Sequence, residues 1–221
     1  MKQFVAIALA VLFIAPAAFA QQTLCYGWED GGTIMGFYGN LVDDTNVTGP
    51  QTGDDSTGGT YTCPGAYEGS HYLHVAEEPI GGTPQAYVAF IEGLTDGDVV
   101  TASFYGYDDT PTASPSLRIW GHYAQSGDVN SYAGSASGNY DYTAGTGWDY
   151  IEHTWTFDSD GGTRDALVIE ARLYSGSGGT RGDYWIDNVC VTAPDGTIIT
   201  FPAPVSPVED GTWSNIKALY R

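Results

Sequence analysis

The sequence predicts an all-β protein, a two-sheet antiparallel β-sandwich of the jelly-roll kind. Three observations carry that reading. Short runs of strand character, rich in Val, Ile, Thr and aromatic residues, are separated by Gly, Asp, Ser and Thr clusters along most of the chain. Several of these runs alternate with a period of two, and no 3.6-residue period holds for three turns beyond the N-terminus. Gly at 30 and Pro at 11 are high, but 16 Tyr, 6 Trp and 8 Phe supply large rings that can build a core with few aliphatic side chains.

The N-terminus stands apart from that domain. Met1-Lys2-Gln3 is a short cationic start, Phe4 to Ile14 is an apolar run, and the segment ending at Ala20 has an Ala-x-Ala close. This is the pattern of a secretory signal peptide over residues 1–20, with cleavage expected after Ala20. The run is short for a bilayer span. Residues 21–200 then form the sandwich, and 201–221 a Pro-rich linker and tail.

Strands are expected near 23–29, 71–76, 85–93, 98–107, 116–124, 149–158, 166–174 and 184–192. In 98–107, Val100, Ala102 and Phe104 share one face, and Thr101, Ser103, Tyr105 and Tyr107 the other. In 149–158, Ile151, Trp155 and Phe157 share a face with His153. In 166–174, Leu167, Ile169, Ala171 and Leu173 oppose Val168, Glu170, Arg172 and Tyr174. Strands with one apolar face each need two sheets packed face to face. Residues 43–69 and 125–148 read as two long connections. In the tail, Pro202, Pro204 and Pro207 make an extended linker. Gly211 to Arg221 is compatible with one short helix, either a loosely packed end or an element for cell-envelope attachment or self-assembly.

Charge excludes partners. Asp and Glu number 27 against 7 Lys and Arg, for a formal charge of −20. No basic stripe exists to neutralise phosphates, so nucleic acid and anionic membrane surfaces are excluded. The three cysteines, Cys25, Cys63 and Cys190, allow one disulfide and one leftover thiol. Cys25 with Cys190 follows if the first and last strands pair antiparallel; Cys25 with Cys63 competes.

Three segments carry a more specific pattern: Gly27-Trp28-Glu29-Asp30-Gly31, Gly69-Ser70-His71-Tyr72-Leu73-His74-Val75, and Tyr184-Trp185-Ile186-Asp187-Asn188-Val189-Cys190-Val191. In order and spacing the trio resembles the jelly-roll carbohydrate-binding modules of the xylan- and cellulose-binding kind, within the galactose-binding-like superfamily, over roughly residues 24–192. Trp28 replaces the family's Phe, His71-Tyr72 its small pair, and Asn188 its second Asp. The resemblance implies a structural calcium joining the first and last strands, held by Glu29 and Asp187 with oxygens near Ser70. Calcium wants six to eight hard oxygens, which carboxylates and carbonyls supply. The plain alternative is that these are ordinary turn carboxylates. Asp158-Ser159-Asp160-Gly161-Gly162 is another oxygen cluster that reads equally well as a turn.

Alternation also marks a binding face. Arg118, Trp120 and His122 point away from Leu117, Ile119 and Gly121, and Glu170, Arg172 and Tyr174 form the corresponding face of 166–174. In the resembled fold the two strands are neighbours, which would gather all six side chains on one surface. Aromatic faces stack on pyranose rings, and guanidinium or carboxylate groups bind paired hydroxyls. The competing reading is a polar outer face with a salt bridge from Glu170 to Arg172. Trp148, Tyr140 and Tyr142 would wall the site from a loop or cover the end of the sandwich.

Catalytic signals are weak. Gly134-Ser135-Ala136-Ser137-Gly138 and Gly176-Ser177-Gly178 lie in loop runs, without the strand–turn–helix setting of a nucleophile elbow. The sequence therefore predicts an exported, non-catalytic module, extracellular or at the cell surface, that binds polysaccharide or a cell-surface glycan. Its rivals are a structural envelope or filament protein and a glycan-cleaving enzyme.

Overall fold

The computed structural model describes residues 20–54, 58–78, 83–108, 116–139, 147–174 and 181–203. The segment up to residue 19 expected to be a signal peptide, Tyr140, Tyr142, the Gly176-Ser177-Gly178 motif and the tail from residue 204 lie outside the described residues. Every regular element among those described is a strand. In chain order they are β1 (Gln21–Tyr26), β2 (Gly36–Tyr38), β3 (Leu41–Thr48), β4 (Gln51–Asp54), β5 (Thr60–Cys63), β6 (His71–Glu77), β7 (Gln85–Glu92), β8 (Val99–Asp108), β9 (Ser116–Ala124), β10 (Ser135–Gly138), β11 (Gly147–Thr156), β12 (Ala166–Tyr174), β13 (Gly182–Pro194) and β14 (Ile198–Thr200).

Two six-stranded sheets face each other. The first runs β11-β8-β13-β6-β3, with β1 also on β13; the second runs β10-β9-β12-β7-β14, with β2 also on β7. All pairings are antiparallel. β13 changes partner along one edge. It pairs β6 through Gly182–Ile186 and β1 through Val189–Pro194, and its register to β8 shifts between Asp187 and Cys190. Asn188, at φ 49°, sits in that irregularity.

The predicted alternation places the core. Val100, Ala102 and Phe104 of β8 and Leu167, Ile169, Ala171 and Leu173 of β12 meet between the sheets, with Leu117, Ile119, Ile151, Trp155 and Phe157. Trp28 joins them fully buried, at φ 62°, and its indole N–H donates to the Thr33 carbonyl at 2.8 Å.

Each outer face carries an apolar cluster of its own, which one-sided strands did not predict. On the first sheet, Tyr72 and Trp185 are covered by the β4–β5 hairpin, whose Cys63 is buried against them, with Tyr61, Tyr107 and Trp148 packed around. The hairpin lies so close that a Cβ on Gly53 would come 2.5 Å from the Asp183 Cβ. On the second sheet, Tyr87, Phe90, Ala124, Ala166 and Val168 are buried, with Met35 and Val129 against them.

The long connections are corrected accordingly. The 43–69 stretch holds most of β3 and all of β4 and β5, and the 125–148 stretch holds β10. β3 is polar because it is an edge strand, and acidic side chains such as Asp43 and Asp44 suit an edge that must not pair further. Cys25 and Cys190 stand opposite each other on β1 and β13, with Cα atoms 4.1 Å apart, and form the disulfide; Cys63 is free and buried.

Candidate functional site

β9 and β12 are hydrogen-bonded neighbours, with Arg172 opposite Arg118, Glu170 opposite Trp120 and Val168 opposite His122. Leu117 and Ile119 of β9 and Ile169 and Ala171 of β12 face the core. The pleat therefore sends Arg118, Trp120, His122, Glu170 and Arg172 to the outer face. Tyr174 lies at the end of β12 opposite Ser116, and its side chain is outside the described atoms.

These residues form the floor of a cavity of about 680 Å³. Trp120, His122, Glu170 and Arg172 line it; Arg118, 4% exposed, lies behind the indole. The Arg118 and Arg172 guanidiniums stand 4.6 and 4.8 Å from the Trp120 ring. Trp120 Nε1–H donates to Ser135 Oγ at 3.1 Å, and Arg172 Nη2 to Thr83 Oγ1 at 3.2 Å.

The rest of the lining comes from residues that sequence reasoning did not select. Gln85 and Tyr87 on β7 continue the floor, Phe37 and Tyr38 on β2 make one side, and Asn130 and Tyr132 come from the loop between β9 and β10. Tyr38 and Tyr132 are 64% and 71% exposed. The loop is held on the sheet by Ala133 N–H to the Tyr123 carbonyl at 2.8 Å, and turned within itself by Ser131 N–H to the Asp128 carbonyl at 3.0 Å. Gly36 admits β2 at this point: a Cβ there would lie 2.6 Å from Asn130 Oδ1 and 2.8 Å from the Tyr87 ring. Tyr87 shared a predicted strand with Gln85, so its outward phase was legible. β2 is too short to show a period, and nothing in the sequence pointed to it.

At the centre, His122 Nδ1 and Glu170 Oε1 are 2.6 Å apart in nearly complete burial, at 2% and 1% exposure. Tyr87 and Tyr132 flank the imidazole, with ring centroids at 5.0 and 5.6 Å. Burial, reinforced by the Glu170 charge, pushes the Tyr87 phenol up to about 12, so it is a neutral donor. Glu170 thus pairs with histidine, which corrects the salt bridge to Arg172 considered as the alternative. Three buried polar atoms of this floor have no hydrogen-bond partner: His122 Nε2, Glu170 Oε2 and Arg172 Nε. An unsatisfied buried group costs about 1–3 kcal/mol, so three on one cavity floor mark where a ligand or ordered water belongs.

Trp148 does not wall this cavity. It belongs to the outer cluster of the first sheet, edge-on to Tyr72 and Tyr107, with its N–H on the Gly65 carbonyl at 3.1 Å. Asp158 to Gly162 forms a turn, in which Asp158 Oδ1 accepts Asp160 N–H at 2.8 Å and Oδ2 pairs with Arg164 at 2.9 Å.

The residues expected to hold calcium meet at the seam where β13 passes from β6 to β1. Glu29 Oε1 accepts the Ser70 and His71 N–H groups at 2.7 and 2.9 Å, and Oε2 lies 3.0 Å from Ser70 Oγ and 3.1 Å from His71 Nδ1. Those backbone donors, His71 first, hold the Glu29 carboxyl down at about 2. Buried Asp187 accepts Glu68 N–H on Oδ2 at 3.0 Å and Asn188 N–H on Oδ1 at 2.7 Å. Burial raises its carboxyl to about 6 against those donors. Each carboxylate oxygen accepts at least one hydrogen bond, which leaves each a further lone pair. Among the described residues no group of three or more His, Cys, Asp or Glu is placed to hold a metal. At the seam Glu29 is thus tied to Ser70 and His71, and Asp187 to Glu68 and Asn188.

No family model matches the chain, and no curated protein is similar to it. Several solved structures are. The CBM22-1 xylan-binding domain of Paenibacillus barcinonensis Xyn10C is 14% identical, over 80% of this chain and 98% of that domain, with a TM-score of 0.45. The xylan-binding module CBM15 is 17% identical over 70% and 97%, with a TM-score of 0.36. The enzymatically active domain of a bacteriophage CBA120 tailspike is 12% identical over 70% and 19%, with a TM-score of 0.42. Xylan-binding modules, the kind the sequence resembles, are thus among the similar structures. Identities this low and TM-scores below 0.5 assign the chain to no family.

Proposed function

We propose that this protein is an exported, non-catalytic β-sandwich that binds polysaccharide in the cavity over β9 and β12. One observation carries the reading: aromatic rings from four segments, Phe37 and Tyr38, Tyr87, Trp120, and Tyr132, surround three buried polar atoms that lack partners. Sugar rings present C–H faces to aromatic walls and hydroxyls to polar atoms between them, and pockets of this size suit a short segment of such a chain. The lining crosses β10, β9, β12, β7 and β2, four strand spacings or about 19 Å, which favours an elongated ligand over a compact one.

Export is supported by the Cys25–Cys190 disulfide, a bond that persists in oxidising compartments, and by the N-terminal sequence. Glycan arrays followed by calorimetry test the binding. Wild type should retain at least one polysaccharide class, and Trp120→Ala and Arg172→Ala should each lose it while keeping a cooperative melt. A well-folded wild type that binds no glycan overturns the proposal, and release of shortened products would replace it with an enzyme.

A further inference from the structure

We propose that the buried His122–Glu170 pair is the specificity element of this cavity, selecting ligands that bring hydrogen-bond donors to the floor. The inference rests on the polysaccharide reading given above. An ionised carboxylate only accepts hydrogen bonds, so the 2.6 Å contact between His122 Nδ1 and Glu170 Oε1 places the proton on Nδ1. With the imidazole neutral, Nε2 is then a bare lone pair. Nε2 and Glu170 Oε2, both buried and unpartnered, are two acceptors on neighbouring strands, and Arg172 Nε beside them is a donor.

That arrangement asks for a ligand bringing two hydrogen-bond donors close together and one acceptor next to them. Adjacent hydroxyls of an uncharged pyranose meet the demand. A uronate carboxylate does not, because its lone pairs would face those of Nε2 and Oε2. Tyr132, exposed and 5.6 Å from the imidazole, is the cover a ligand displaces to reach them.

The experiment measures affinity by calorimetry for xylohexaose, cellohexaose, mannohexaose and a hexamer of galacturonate. Wild type should prefer a neutral hexasaccharide. His122→Asn keeps a donor near the Nδ1 position and removes the Nε2 acceptor, and should lose about three- to tenfold in neutral-sugar affinity, the worth of one hydrogen bond. Glu170→Gln removes the charge and should narrow the preference for neutral over galacturonate ligand. The imidazole proton shifts of wild type, followed by NMR with and without ligand, read the same site without a variant and should move for His122 on binding. Neutral-sugar binding that is no tighter than galacturonate binding, that is unchanged in His122→Asn, or that leaves the His122 signals unmoved overturns this inference alone. Binding of no hexasaccharide by folded wild type overturns the polysaccharide reading and this inference together.

Discussion

Arg118 and Arg172 stand directly opposite each other on adjacent strands, and both guanidiniums lean on one indole, Trp120. Two like charges in that position repel, and cross-strand pairs of this kind are normally avoided. The indole offsets the repulsion because its negative face attracts each cation. Trp120 therefore has a structural role beside its place in the cavity.

Trp120→Ala should lower stability by about 1–2 kcal/mol, the sum of two cation–π contacts. Trp120→Phe should recover part of that, since phenylalanine keeps a weaker quadrupole. Urea denaturation of the three proteins checks the order. Equal stability of wild type and Trp120→Ala would mean that the arginines repel less than their register implies.

Reducing the Cys25–Cys190 bond should cost about 2–5 kcal/mol, because it closes a long loop in the unfolded chain. The two cysteines are 165 residues apart in sequence. Denaturation midpoints with and without reductant give the value, and the double Cys→Ser variant should match the reduced protein. Cys63 is buried, and burial pushes its thiol up to about 11, so the native protein should not react with a thiol reagent until it unfolds.

The seam gives opposite pH slopes. Asp187 titrates near 6 in the folded state, above an unfolded value near 4, so the folded state holds its proton more tightly. Its contribution is fully present below about pH 4 and is lost as pH rises through 6, a change of about 3 kcal/mol at most. Glu29 works the other way: its folded value is near 2, so its contribution is present above about pH 4.5 and fades as pH falls toward 2. Urea midpoints taken between pH 4 and pH 7.5 should fall with rising pH in wild type. Asp187→Asn should flatten that slope, at some cost in stability at the acid end because its amide cannot accept both N–H groups. A parallel slope in the variant would assign the effect to another carboxyl.

If Glu29 and Asp187 hold the calcium that the resemblance implies, the melting temperature should rise with added calcium and fall with chelator, as mass action requires for an ion bound only to the folded state. A melting temperature unchanged by both would remove that metal.

The strong alternation of β8, β9 and β12 made the sandwich and half of the cavity floor readable in advance, because a period of two assigns every side chain in a run to a face once one face is known to be core. Residues 118, 120, 122, 170 and 172 came from that rule. The cavity's other side was hidden for a physical reason. β2 has three residues and β10 four, too few to show a period, and the Tyr132 loop takes its shape from backbone bonds to Tyr123 and Asp128 that composition does not encode. β3, β4 and β5 hid behind their polarity, since edge strands and an outer hairpin need no apolar face. Residue types at the seam did not reveal which donors reach them: the Ser70 and His71 amides on Glu29 were not legible in the sequence.

β13 lies between β8 on one edge and β6 and β1 on the other, yet it is the thirteenth of the fourteen strands among the described residues. The first sheet therefore lacks its middle until about residue 194 has been synthesised, and β1 lacks its β13 partner before then. A chain that emerges gradually cannot close this sheet earlier. Locking of Cys25 onto Cys190 then fastens one of the last-made strands to the first.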